Sequence, residues 1–168
     1  MIKLLNKNCK FLITGATGFI GSRLCCELLE DGHQIVALTR SKNKISDHKN
    51  LIYINHLGDH EFNYDIIINL AGAPISIYWT HKNQQEIYQS RLKITGEIVE
   101  KIASAKNPPK LLINGSAIGF YGTSDNIIFS ENIINKVNMN YLFFDIYMIL
   151  KDRFNVKGLI LDLGTITY

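Results

Sequence analysis

Phe11-Leu12-Ile13-Thr14-Gly15-Ala16-Thr17-Gly18-Phe19-Ile20-Gly21 is an apolar run that breaks into three glycines, three residues apart, and continues with helical periodicity. The pattern predicts a strand, a tight turn and a helix, the arrangement that cradles the pyrophosphate of a dinucleotide. In this reading Gly15 allows the turn, Gly18 lets the backbone approach the phosphates, and Gly21 lets the helix pack closely on the sheet. The phosphate charge then rests on the first-turn N–H groups around Thr17, Gly18, Phe19 and Ile20, ahead of the helix's own hydrogen bonds. The spacing is a variant of the usual fingerprint, whose first two glycines are two apart. The flanking elements therefore matter: a helix from Phe19 to Leu29, a stop at Asp31-Gly32, and a second strand from Gln34 to Thr39. The competing reading is a glycine turn without a ligand.

The second strand ends in Thr39-Arg40, where folds that prefer NAD carry a carboxylate for the ribose hydroxyls. A guanidinium at this place forms paired hydrogen bonds with a 2′-phosphate, and Lys42 and Lys44 add positive charge nearby. NADP is therefore the expected cofactor. The alternative for Arg40 is a plain cap on a surface strand end.

A chain of 168 residues is long enough for one well-buried domain and too short for two ordinary ones. Its 46% hydrophobic and 20% charged content is that of a soluble globular protein. The formal charge of +3 is small and the lysines are scattered, so no nucleic-acid partner is implied. Cys9, Cys25 and Cys26 are odd in number and lack metal spacing, which fits a reducing cytoplasm. The five histidines are dispersed, and no apolar run is long enough to span a bilayer.

Further strands are expected at Leu51 to Ile54, Tyr64 to Leu70, Lys110 to Asn114 and Gly158 to Leu163. Little room remains for a helix between the third and fourth. A helix is expected from Lys82 to about Lys106, ended by Pro108-Pro109, and another from about Met139 to Phe154. The alternation predicts an α/β protein: a Rossmann-type, doubly wound parallel sheet of about six strands in a three-layer α/β/α arrangement. Ligands of such sheets bind beyond the carboxyl ends of the strands, which brings Leu70, Ala71 and Gly72 and the loop Gly115 to Gly122 into consideration.

Thr14-Gly-Ala-Thr-Gly-Phe-Ile-Gly21, Asn69-Leu-Ala-Gly-Ala-Pro-Ile75, Trp79-Thr80, Ile87-Tyr-Gln-Ser-Arg91 and Gly115-Ser-Ala-Ile-Gly-Phe-Tyr-Gly122 together resemble the atypical extended short-chain dehydrogenase/reductases. More narrowly, they are similar to the epimerase-family branch, whose members are also described as nucleoside-diphosphate-sugar epimerases or cell-division inhibitors. The match runs from about residue 10 to 122 and fades from Thr123 onward. The resemblance implies an NADP-binding domain followed by a smaller C-terminal substrate domain. Residues 1–168 are expected to form the nucleotide domain alone, nearly all of the substrate domain being absent. A piece of a longer chain, a decayed reading frame and a protein working with half the usual crevice all fit that expectation.

The superfamily also implies a Tyr acid/base, a Lys four residues later that lowers its pKa, and a Ser or Thr that orients the substrate oxygen. Tyr147 and Lys151 have this spacing, as do Tyr78 and Lys82; the hydroxyl position falls on Ser116 or Ala117. A structural aromatic and a solvated lysine are the alternative roles for Tyr147 and Lys151. By the family pattern Ser90 and Arg91 face the cofactor side of the long helix, a helix-surface ion-pair role being the alternative. Two functions remain: an NADP-dependent epimerase or dehydrogenase acting by hydride transfer on a nucleotide-linked sugar or other hydroxyl compound, and a non-catalytic NADP-binding module or inactive remnant. The small-molecule substrate is not specified. Apolar surface around Tyr141 to Leu150 further predicts self-association.

Overall fold

Strand β1 (Lys10–Thr14) runs into the glycine turn and helix α1 (Phe19–Glu30), and strand β2 (Gln34–Leu38) follows. Next come β3 (Leu51–Ile54), β4 (Ile66–Asn69), helix α2 (His81–Ser104), β5 (Leu111–Ser116) and β6 (Gly158–Asp162). The structure is a computed structural model that describes residues 8–41, 44–116 and 158–162.

The six strands among the described residues are all parallel, in the order β3-β2-β1-β4-β5-β6. This is the Rossmann-type α/β sheet, and its order reverses between β1 and β4, the place where such sheets open a ligand crevice. Side-chain alternation along the strands feeds two cores. Leu12, Val36, Ile67 and Leu112 share a core with Ile87, Ile98, Val99 and Ile102 of α2. Phe11, Ile13, Ile35, Ala37, Ile66 and Ile68 share the other with Cys25 of α1, backed by Leu24 and Leu28.

Element ends follow local chemistry. Helix α1 stops where Gly32 takes a positive φ of 84°, with the Gly32 N–H donating to Leu29 O and the His33 N–H to Leu28 O. Helix α2 starts at His81, one residue earlier than expected, because Thr80 caps it by accepting from the Asn83 N–H at 3.2 Å. It ends at Ser104, well before the prolines, where Ala105 turns extended. Strand β4 is shorter than expected. Asp65, just ahead of it, ties the sheet's lower edge: its carboxylate accepts from the Lys10 N–H at 3.0 Å and from Lys110 Nζ at 3.1 Å. The residues between β3 and β4 contain no helix. The expected helix from Met139 to Phe154, with Tyr147, Lys151 and the apolar stretch Tyr141 to Leu150, lies outside the described residues, as does the loop from Ala117 to Gly122.

Candidate functional site

Three glycines shape the exit of β1, each through a different constraint. Gly15 has a φ of 67°, and a Cβ there would stand 2.7 Å from the carbonyl carbon and oxygen of Leu70, where β4 leaves the sheet. A Cβ on Gly21 would fall 2.2 Å from Gly15 O, so the turn closes against the helix only without a side chain. Gly18 is different: it is extended at the N-terminus of α1, and a Cβ there would meet only Gly15 O, at 3.2 Å. The Gly18 N–H donates to Gly15 O, and the first bond of the helical ladder runs from the Ser22 N–H to Gly18 O. No acidic residue occupies the first turn. This helix end suits an anion.

Beside it, a buried polar network joins three strands and α2. Thr14 Oγ1 donates to Asn69 Oδ1 at 2.5 Å and accepts from the Ala71 N–H at 3.1 Å. Asn69 Nδ2 donates to Asn114 Oδ1 at 2.6 Å and Thr95 Oγ1 at 3.1 Å. Asn69 lies level with Thr14 and Asn114 in the sheet, so the network locks the register where β1, β4 and β5 meet the crevice. The sequence motifs include Thr14 and Asn69 but not their pairing with Thr95 and Asn114, because the four lie tens of positions apart and meet only in the fold.

Ser90 and Arg91 act on the next loop. Ser90 Oγ accepts from the Ala73 N–H at 2.9 Å, and an Arg91 guanidinium N–H donates to Ala73 O at 3.1 Å. Both also donate to Ile87 O. The guanidinium lies so close to Gly72 that a Cβ there would come within 2.7 Å of Arg91 Cζ. Burial lowers the Arg91 pKa from its usual value, though the group stays charged. The pair clamps the loop after β4. Arg91 makes no ion pair among the described residues.

These exits border one cleft of about 540 Å³. Thr14, Gly15, Thr17 and Gly18 line it from the turn, Leu38, Thr39 and Arg40 from the end of β2, and Asn55 and His56 from the end of β3. Leu70 through Pro74 close another side, with Ser90, Lys93, Ile94 and Glu97 of α2. Of the nine residues expected to hold the cofactor, seven therefore share this cleft. Phe19 and Ile20 open helix α1 outside the lining and are 76% and 38% exposed. Lys44 stands over the Tyr53 ring, 5.0 Å from its centroid, while Lys42 lies outside the described residues. Ser116 ends β5 level with Asp162 of β6. Tyr78 is 91% exposed, on the approach to α2. Among the described residues no group of His, Cys, Asp or Glu could hold a metal ion, and no helix is long and apolar enough to cross a membrane.

Residues 11–141 match the Epimerase family model, described as the NAD dependent epimerase/dehydratase family. The chain is 39% identical over 130 residues to the chloroplastic epimerase family protein SDR39U1 homolog of Arabidopsis thaliana, a match covering 71% of this chain and 38% of that one. It is 37% identical over 126 residues to the epimerase family protein YfhF of Bacillus subtilis, covering 71% and 41%. It thus spans about two fifths of these relatives' length. Among solved structures it is similar to human epimerase family protein SDR39U1, isoform 2, with NADPH: TM-score 0.73 at 22% identity, covering 91% of this chain and 52% of that one. A UDP-glucuronic acid 4-epimerase from Bacillus cereus, in complex with UDP-glucuronic acid and NAD, superposes with a TM-score of 0.70 at 19% identity, covering 91% and 55%. These structural likenesses concern the fold.

Proposed function

The chain belongs to the NAD dependent epimerase/dehydratase family, and from that premise we propose that its cleft binds NADP, in a protein acting by hydride transfer on a nucleotide-linked sugar or other hydroxyl compound. The observation that carries the cofactor reading is the position of Arg40, at the rim of the same cleft as the Gly15–Gly18 turn. The donor set fits such a ligand. Gly18 leaves the backbone open toward a pyrophosphate, and the N-terminus of α1, with no acidic residue in its first turn, favours the phosphate charge. Arg40 makes no ion pair among the described residues and offers a fork that matches a phosphate. The human relative's structure contains NADPH, which supports the same choice.

NADP, when bound, supplies a hydride acceptor or donor at C4 of its nicotinamide. The clamped loop Gly72–Ala73 walls the cleft beyond the turn, held by Ser90 and Arg91. For the chemistry we assign Tyr147 as the acid/base, Lys151 as the cation that lowers its pKa, and Ser116 as the group orienting the substrate oxygen, on the family resemblance alone. Calorimetric titration with NADPH and NADH tests the cofactor, and hydride exchange between NADPH and candidate nucleotide sugars tests the chemistry. NADPH is expected to bind far more tightly than NADH. Equal affinities would overturn the role of Arg40, and no binding of either would overturn the cofactor reading. Tight binding with no exchange on any substrate would favour a non-catalytic NADP-binding module.

A further inference from the structure

We propose that Asn55 is the positioning residue for 2′-phosphate selectivity, acting by fixing the backbone on both sides of Arg40. This rests on the NADP reading and deepens it. Arg40 lies beyond the last residue of β2, exposed at the cleft rim, where the sheet's hydrogen-bond ladder has run out. The last ladder-like bond there is the Thr39 N–H to Ile54 O, at 2.9 Å. Past it, one side chain takes over. Asn55 Nδ2 donates to Thr39 O at 2.9 Å and to Ser41 O at 3.0 Å, using both amide hydrogens on the two carbonyls that flank Arg40.

Two carbonyl acceptors fix which end of the amide faces the loop. Asn55 is itself held, since Asp59 Oδ2 accepts from the backbone N–H groups of Asn55 and His56, at 3.2 and 2.8 Å. The Ser41 N–H adds a bond to Thr39 Oγ1 at 3.2 Å. The order at the end of β3 is thus passed to Arg40, just beyond the end of β2. A long guanidinium side chain loses much rotamer freedom when it grips a ligand, and a fixed backbone beneath it lessens what remains to be ordered. Only a cofactor that engages Arg40 gains from this. A carboxylate at position 55 would face two carbonyls, and an alanine would leave them without this donor.

Asn55 also lines the cleft, so the rival role is direct contact with the part common to both cofactors. Titrating the 168-residue chain with NADPH and NADH separates the two. In Asn55→Ala the NADPH Kd is expected to rise about ten-fold, the loss of one or two net hydrogen bonds, while the NADH Kd stays within about two-fold. Adding Asn55→Ala to Arg40→Ala should then weaken NADPH no further. Equal losses for both cofactors, or additive losses in the double variant, would overturn the proposal. Thermal melts check the fold, and Asn55→Ser serves if the alanine variant does not fold. Limited trypsin digestion without cofactor, with the cut after Arg40 identified by mass spectrometry, should be faster in the Asn55 variant; an unchanged rate would overturn the fixing of this loop. A wild-type chain indifferent to the 2′-phosphate would instead overturn the NADP reading, and the trypsin result would still report whether Asn55 holds the Arg40 backbone.

Discussion

The exits of β1 and β2 lie side by side in the sheet and are held in opposite ways. At β1 the geometry depends on missing side chains: Gly15 and Gly21 let backbone meet backbone at distances no Cβ tolerates. At β2 it depends on a side chain that is present, since Asn55 reaches across from the end of β3 to bracket Arg40. The first exit faces what every dinucleotide shares, a pyrophosphate; the second faces what distinguishes NADP from NAD. A shared feature is met by rigid backbone that admits almost no substitution, and a distinguishing one by side chains that substitution can retune.

The largest effect is expected at the first exit. Gly21→Val places branched carbon against Gly15 O, and the helix must move away from the turn. The overpacking should cost about 3 kcal/mol, near the upper end for buried sites, and lower the melting temperature by about 10 °C. A melt within a few degrees of wild type would contradict the close approach. Gly18→Val separates binding from folding at the same exit, because its Cβ meets only Gly15 O, at 3.2 Å. The fold should persist while both cofactors weaken on the order of a hundred-fold, through loss of backbone approach to the pyrophosphate. Retained binding would make the turn merely structural.

At the second exit, Arg40→Ala should weaken NADPH about thirty-fold, as for loss of a charge-assisted hydrogen bond, and leave NADH within about two-fold. Equal losses in titration would erase the contrast between the two exits. The smallest effect lies at the opposite end of the sheet and serves as a control. The Lys10 N–H, then Lys110, hold the Asp65 carboxyl below its ordinary pKa. The stability this confers is therefore present above the unfolded value, about 3.9, and is lost as pH falls through the lower folded value. Asp65→Asn should be less stable at neutral pH by under about 1 kcal/mol, since the carboxylate is partly solvated. The gap should begin to narrow in melts below about pH 4 and close once pH lies below the folded value, with cofactor affinity unchanged. A gap that persists there would show that the loss is not electrostatic.

Although the Leu70 backbone that confines Gly15 lies far along the chain, the first exit is legible in the sequence because its three glycines fall close together in one motif. The same holds for β3, found at the expected Leu51–Ile54, and for the Gly32 stop of α1. The second exit was legible only in Arg40. Asn55 reads as an ordinary loop residue until β3 pairs with β2 and sets it beside Thr39 and Ser41. The Thr14–Asn69–Asn114–Thr95 network was hidden for the same reason, its members joining only when β1, β4, β5 and α2 come together. Ser90 and Arg91 were placed on the right helix, but their partner is the backbone of Ala73, which motif spacing does not reveal. Thr80, a threonine just ahead of the helical run, carries a usable helix-cap signal in the sequence.

The most direct test of the two-exit account is a crystal structure of this chain with NADPH. The account predicts the pyrophosphate against Gly18 and the first turn of α1, and the 2′-phosphate hydrogen-bonded to Arg40, with Asn55 still bridging Thr39 and Ser41. A cofactor seated elsewhere, or a 2′-phosphate turned to solvent away from Arg40, would contradict it.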